Sequence, residues 1–307
     1  MQSFDANMDA EELKNSISPK KDEDNIIKLV TNRTNSQLQL IKEAYTTLYK
    51  SDLIKDLKKA LSGHLEDVVV ALFSTPIDYD CFHLRKAIKG LGTDEDALIE
   101  ILCTRSPNII EQIKKRYGEM FPGRSLIKDV ESDTSGNFRK ILKSLLSANR
   151  TPDAQPNIEE CKNCAKRLYE AGEKRLGTNE DVFTQIFTEK SPSEFIYTAQ
   201  LYYKLTKHTL IQAVENEFSF DSKKCLIAII YAILSPSEFF AKCINKAIKG
   251  LGTDNTTLIR VMVSRHEIDM PQIKQFYKQN YKKDMIEDIK DDTSGNYRKI
   301  LVELASH

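Results

Sequence analysis

Apolar residues recur along the chain in short blocks at helical spacing. From Ala97 they fall at Ala97, Leu98, Ile101 and Leu102, one stripe at the α-helical period. Thr93 with Asp96, and Thr178 with Asp181, carry the spacing of a capping box and predict helix starts there. Pro107 and Pro192 stand where the first residue of a helix is expected. Strand-like alternation is scarce, so the predicted fold class is all-α. The most apolar run, Cys225 to Leu234, has ten residues. A membrane-spanning helix needs ~20, so no span is predicted.

The blocks repeat. Residues 86–94 read KAIKGLGTD, and residues 246–254 read the same, at an offset of 160. DTSGNFRKIL at 133–142 returns as DTSGNYRKIL at 292–301, at an offset of 159. One copy therefore holds one extra residue, which the Pro122 segment MFPGRS accommodates. A weaker copy lies between, with AGEKRLGTNED at 171–181 and VENEFSF at 214–220. The N-terminal stretch parallels the same pattern, and a basic residue recurs in each copy: Arg33, Arg105, Lys190 and Arg265. The organisation read from this is four units of about 75 residues, each of about five short helices. We place a short tail at 1–9, repeat 1 at 10–76, repeat 2 at 77–149, a linker at 150–157, repeat 3 at 158–235 and repeat 4 at 236–307. The proline-bearing segment NRTPDAQPN at 149–157 is expected to divide repeats 1 and 2 from repeats 3 and 4.

Composition narrows the function. Lys plus Arg equal Asp plus Glu at 45 each, a balance that argues against nucleic-acid binding. With 40% hydrophobic and 29% charged residues, the chain builds a core and is not disordered. The first twenty residues lack an apolar h-region, so no signal peptide is expected and a cytoplasmic location follows. Six cysteines are too few for a disulfide scaffold. Cys161 and Cys164 form a lone CxxC in a helical pattern, with no second pair or histidine at metal spacing. They read as two thiols on one helix.

The loop Ile88-Lys-Gly-Leu-Gly-Thr93 lies between helical patterns, and its glycines let successive carbonyls turn toward one point. Carbonyl oxygens suit Ca²⁺, which takes 6–8 oxygen ligands. A carboxylate recurs downstream of each such loop, at Asp133, Glu217 and Asp292. One carboxylate leaves positive charge and coordination places unfilled, so each site is weak until an outside anion completes it. Leu91, Leu176 and Leu251 stand at the loop tips, flanked by Lys89, Arg175 and Lys249. An apolar tip, a basic neighbour and an under-filled cation point to a phospholipid head group.

With four repeats, GxGT loops and an acid about forty residues downstream, the chain resembles an annexin over essentially its whole length. The resemblance implies a curved all-α disc of four five-helix repeats that binds acidic, phosphatidylserine-like membranes with Ca²⁺ as cofactor. It implies metal sites at Ile88, Gly90, Gly92 and Asp133; at Gly172, Arg175, Gly177 and Glu217; and at Ile248, Gly250, Gly252 and Asp292. Secondary sites are implied around the Thr93 carbonyl and Glu95. Membrane contact falls to Lys89, Leu91, Leu176, Lys249 and Leu251. The protein is then a peripheral membrane organiser recruited when Ca²⁺ rises. Cytoskeletal partners and assembly on the membrane stay open.

Repeat 1 departs from the pattern. Its loop reads NSISPKKDED, with Pro19, Lys20 and Lys21 and no glycine pair, and Ala60 stands where Asp133 does. No Ca²⁺ site is expected there. In repeat 3, Phe220 replaces the glycine of the TSG and LSG segments, and Leu176 stands where family members often carry Trp. The core pattern begins near Ser3, so no tail-docked partner is expected, and Phe4 and Met8 should pack on the core. Among other readings, His266-Glu267 lacks the second histidine of a zincin, and the loops lack the third glycine of a dinucleotide fingerprint and the GK[ST] of a P-loop. The five histidines are scattered and no catalytic group stands out, so no enzyme is expected. Sequons at Asn32, Asn149 and Asn255 are expected to be unused. The rival is a Ca²⁺-independent helical scaffold for cytoskeletal or other proteins.

Overall fold

A computed structural model describes residues 4–18, 21–250 and 252–306. Those residues form twenty helices and no strand. In the first repeat, α1 (Ala6–Ile17), α2 (Glu23–Thr31), α3 (Asn35–Tyr49), α4 (Leu53–Ala60) and α5 (Gly63–Leu72) follow in order. The second holds α6 (Pro76–Ala87), α7 (Glu95–Thr104), α8 (Pro107–Met120), α9 (Leu126–Asp133) and α10 (Gly136–Leu146). The third holds α11 (Ile158–Ala171), α12 (Glu180–Glu189), α13 (Pro192–Thr206), α14 (Leu210–Glu217) and α15 (Phe220–Leu234). The fourth holds α16 (Pro236–Ile248), α17 (Asn255–Arg265), α18 (Met270–Tyr281), α19 (Met285–Asp292) and α20 (Gly295–Ser306). Five helices per repeat is the number the apolar stripes predict.

Local chemistry sets the helix ends. Pro107 and Pro192 open α8 and α13, where a missing N–H leaves no helical bond unmade. The helix starts expected at Thr93 and Thr178 shift by one residue. Asp94 caps α7 by accepting from the Ala97 N–H, and Asn179 precedes α12 without a side-chain cap bond. The two threonine hydroxyls are engaged elsewhere, as shown below. The turn before the fourth helix also explains the one-residue offset. Lys50, Lys207 and Lys282 make it with a single left-handed residue, whereas repeat 2 uses Phe121-Pro122-Gly123, with Gly123 at φ 80°.

The compact units do not follow the proline-bearing linker. One takes in the chain up to Tyr79 together with everything from Phe240 on, and the other runs from Asp80 to Phe239. Chain order predicts halves of repeats 1–2 and 3–4; helix packing instead joins repeat 1 to 4 and repeat 2 to 3. In the first unit α5 packs on α17 and α20, and α2 on α20. In the second, α7 packs on α15, and α10 on α12 and α15. The third repeat holds a cluster of Phe183, Phe187, Phe195 and Phe218, with ring centroids 5.0–5.9 Å apart and every ring buried.

Basic residues of the four repeats do buried work. Arg33 grips Asp9 at 2.6 and 2.9 Å, and Arg105 grips Asp80 at 2.7 and 2.8 Å. Lys190 meets Glu160 at 2.7 Å, and Arg265 meets Asp269 at 2.8 Å. The recurrence seen in the sequence is therefore a repeated ion pair, on a buried aspartate in repeats 1, 2 and 4 and on the partly exposed Glu160 in repeat 3. Met8 is 67% exposed and does not pack on the core as expected, because it lies on the outer face of α1, opposite Leu13 and Ala10.

Cys161 and Cys164 are free, buried thiols on α11. Burial pushes the Cys164 thiol up to about 11 and raises that of Cys161 as well. Since the thiolate is the nucleophile, both are held in the unreactive protonated form at pH 8. Neither should be alkylated by iodoacetamide in the native protein at that pH, while both react in urea. Mass spectrometry showing rapid native modification of either would contradict this assignment.

Candidate metal centre

Each of repeats 2, 3 and 4 brings its glycine loop and its downstream acid together. The Thr93 hydroxyl donates to Asp133 Oδ2 at 2.7 Å and to the Asp133 carbonyl at 3.0 Å. Thr253 does the same to Asp292, at 2.7 and 3.1 Å. Thr178 donates to Glu217 Oε2 at 2.5 Å. This is the destination of the hydroxyls that the sequence assigned to helix capping. The backbone closes each loop at its base, with the N–H of Asp94, Asn179 and Asp254 donating to the carbonyls of Ala87, Ala171 and Ala247, each at 2.8 Å.

The acids are placed identically. Asp133, Glu217 and Asp292 are the last residues of α9, α14 and α19, each of eight residues. Ala60 ends α4 in the same way, so repeat 1 keeps the scaffold and lacks the carboxylate. Its loop is closed by the Asp22 N–H on the Ser16 carbonyl at 2.9 Å, and Lys21 lies 2.6 Å from Glu23. Pro19 and Lys20 lie outside the described residues.

Loop conformation follows from the glycines, though not uniformly. Gly90 and Gly92 take φ 125° and 88°, with open space where a side chain would project. Gly177 and Gly252 take φ 77° and 82°. Gly250 and Gly172 do not adopt positive φ. Gly172 is required for another reason: a Cβ there would lie 3.2 Å from the Glu217 side chain and 3.3 Å from Phe183. Its carbonyl accepts from the Arg175 N–H at 2.9 Å. The side chains of Ile88 and Ile248 are buried and anchor the start of their loops, whereas Arg175 is exposed. Glu95 opens α7 beside Thr93.

The tips project into solvent. Leu91 and Leu176 are 108% and 102% exposed. Leu251 lies outside the described residues. Lys89 is exposed, but Lys249 is partly committed, with its Nζ 3.1 Å from the buried Asp288.

That pair belongs to a feature absent from the sequence reading. Under each loop a buried tyrosine donates to a carboxylate: Tyr45 to Asp56 at 3.0 Å, Tyr117 to Asp129 at 2.8 Å and Tyr277 to Asp288 at 2.7 Å. Burial, then the carboxylate, pushes the Tyr117 hydroxyl up to about 12. In repeat 3 the matching helix position is Ala213, and Tyr202 turns to Glu173 in the loop itself, at 2.5 Å. His208 Nδ1 lies 2.9 Å from the same carboxylate. A tyrosine followed eleven or twelve residues later by an aspartate was the available signal. The second landmark also gains a purpose: Arg139 and Arg298 donate from Nε to the carbonyls of Thr134 and Thr293 at 2.6 Å, bracing the residue after each acid.

Phe220 takes φ 49°, matching Gly63, Gly136 and Gly295 at 57–61° in the other repeats. The backbone bend is thus retained without glycine, at a strain of roughly 1–2 kcal/mol.

The donor set fits a hard divalent cation. No group of three or more His, Cys, Asp or Glu side chains able to hold a metal occurs among the described residues. Each loop offers backbone carbonyls and lies beside one carboxylate held by its threonine, and both are hard oxygens of the type Ca²⁺ prefers.

The annexin family model matches residues 8–72, 79–145, 164–229 and 239–304. The chain is 43% identical over 302 residues to annexin A7 of Homo sapiens, covering 98% of this chain and 62% of that relative. It therefore spans less than two thirds of the length of that protein. The solved structure of annexin III superposes with a TM-score of 0.96 at 37% identity, covering 100% of this chain and 95% of the other. Calcium-bound annexin (Sm)1 superposes with a TM-score of 0.89 at 30% identity, covering 100% and 92%. Four matched repeats, each with its five helices, place this chain in the annexin family.

Proposed function

We propose that the chain binds acidic phospholipid surfaces in a Ca²⁺-dependent, reversible and non-enzymatic manner through repeats 2, 3 and 4. Annexin membership supports the general activity. The observation that carries the assignment of sites is the loop threonine bound to a carboxylate about forty residues away, three times over.

The groups that would hold Ca²⁺ are the carbonyls of Ile88, Gly90 and Gly92 with Asp133; of Gly172, Arg175 and Gly177 with Glu217; and of Ile248, Gly250 and Gly252 with Asp292. Bound there, Ca²⁺ supplies positive charge that a lipid phosphate can share. The threonine hydroxyl holds one carboxylate oxygen in place, and the other would be the one offered to the cation. Lys89 and Arg175 offer further positive charge to head groups, and Leu91 and Leu176 offer apolar side chains to the layer beneath. Lys249 contributes less, because Asp288 already neutralises it. Repeat 1, with Ala60 in place of the acid, takes no Ca²⁺ in this scheme. No helix among the described residues is long and apolar enough to cross a membrane, so attachment rests on these surface groups.

Three weak contacts on one chain act together, and linkage of this kind raises avidity by a factor of ~10²–10⁴. Sedimentation with phosphatidylserine vesicles should be complete in Ca²⁺, absent in chelator and steeply dependent on Ca²⁺ between. Sedimentation that ignores chelator would favour the Ca²⁺-independent scaffold instead, and a shallow single-site titration would contradict joint action of three sites.

A further inference from the structure

Among the described residues, the three most exposed large apolar side chains are Leu91, Leu176 and Phe220, at 108%, 102% and 84%. Two of them are the loop tips already assigned to the lipid surface. The third lies three residues beyond the repeat 3 acid, on the segment that Thr178 ties to the loop through the Glu217 carboxylate. Phe218, two residues earlier, is buried against Phe183 at a ring separation of 5.1 Å. The chain therefore turns one aromatic into the core and the next one out.

Phe220 is unfavourable twice over within this protein. It adopts a left-handed backbone where the other three repeats use glycine, and its ring is left in water. Glycine would make the same bend without strain, and a polar residue would remove the exposure. Neither the fold nor solubility gains from the phenyl group.

We propose that Phe220 is an interfacial anchor of repeat 3, its ring entering the head-group region of the acidic bilayer when the neighbouring loop docks. Aromatic rings favour that layer, where an apolar body meets a wet surface. The left-handed bend holds the ring outward before the membrane arrives, so little order has to be created on docking. Repeat 3 thereby presents two apolar contacts, Leu176 from the loop and Phe220 from the start of α15, three residues beyond Glu217. This proposal rests on the membrane reading above and adds a contact that the other repeats lack, since Gly63, Gly136 and Gly295 have no side chain there.

The chain contains no tryptophan, so Phe220→Trp creates a single emission reporter. With Ca²⁺ and vesicles of phosphatidylserine and phosphatidylcholine, its emission should move to the blue, be quenched by brominated phosphatidylserine, and recover on chelation. Phe220→Gly should act in opposite directions on two readouts. Its Tm should rise by about 2–4 °C as strain is relieved, while vesicle partition at fixed Ca²⁺ should fall about tenfold. The proposal is overturned if the Phe220→Trp protein sediments with vesicles while its emission stays unchanged. It is also overturned if the blue shift needs Ca²⁺ but no vesicles, or if Phe220→Gly partitions as the unmodified chain does. Failure of the unmodified chain to sediment in Ca²⁺ is a different result: it removes the membrane reading, and this anchor with it.

Discussion

Asp133→Asn combined with Asp292→Asn is expected to weaken binding to phosphatidylserine vesicles at fixed Ca²⁺ about 10²-fold, because two of three linked contacts are lost together. The fold should survive. Asparagine keeps an acceptor oxygen for the Thr93 and Thr253 hydroxyls, which lie 2.7 Å from the carboxylates they hold. Arg139 and Arg298 grip backbone carbonyls rather than the acids, so their contacts are untouched. What disappears is the negative charge, and a neutral amide is a far poorer partner for a divalent cation. Addition of Glu217→Gln should abolish the remaining Ca²⁺-dependent sedimentation. The measurement is the Ca²⁺ titration of vesicle sedimentation, with circular dichroism and thermal melts as controls. An unchanged titration for the double variant, with the fold intact, would remove these acids from the site.

The repeat in the sequence made much of this visible, because each loop and each acid is short, polar and locally encoded. KAIKGLGTD and DTSGNFRKIL carry their own spacing, and the five-helix pattern follows from apolar stripes and prolines. Connections made through space were harder to read. Thr93 has the pattern of a helix cap, yet its hydroxyl is drawn to Asp133, forty residues on, and Asp94 caps α7 instead. A cap would give the hydroxyl one acceptor and Asp133 gives it two, and only packing brings that residue within reach. The grouping of repeats was misleading for a similar reason: a proline-bearing linker marks where the chain is exposed, not which faces bury each other.

The tyrosine–carboxylate pairs show where one-dimensional alignment loses information. In repeats 1, 2 and 4 the acid comes from the fourth helix, at Asp56, Asp129 and Asp288. Repeat 3 has Ala213 there, and alignment alone suggests a lost interaction. The longer loop instead supplies Glu173 from the other side, to the same tyrosine position. The hydroxyl, buried in every repeat, demands a partner, and a buried polar group without one costs ~1–3 kcal/mol. The same physical need is thus met in repeat 3 by a different residue, carried on the longer loop.

The second large effect concerns stability and belongs to the same repeat. Phe187→Ala should destabilise the unit from Asp80 to Phe239 by ~3–5 kcal/mol, lowering its Tm by ~6–20 °C. Phe187 is fully buried between Phe183 and Phe195, at centroid distances of 5.9 and 5.0 Å. Its removal leaves a cavity that neighbouring rings cannot fill without leaving their own contacts. The change should also reach the candidate site. Phe183 meets Phe218, directly after Glu217, edge to face and lies against Gly172, whose carbonyl is a candidate ligand. Loosening this cluster frees the carboxylate and the loop to separate, so the repeat 3 contribution to vesicle binding should fall even below the melting temperature. Phe187→Leu, which refills most of the volume, should recover much of both losses. Leu176→Ala at the exposed tip should leave the stability within ~0.5 kcal/mol of the unmodified chain while still weakening vesicle binding. Calorimetry and urea titration separate these cases. A Phe187→Ala protein within ~1 kcal/mol of the parent would show that the aromatic cluster does not hold the third repeat together, and that the Glu217 site is supported from elsewhere.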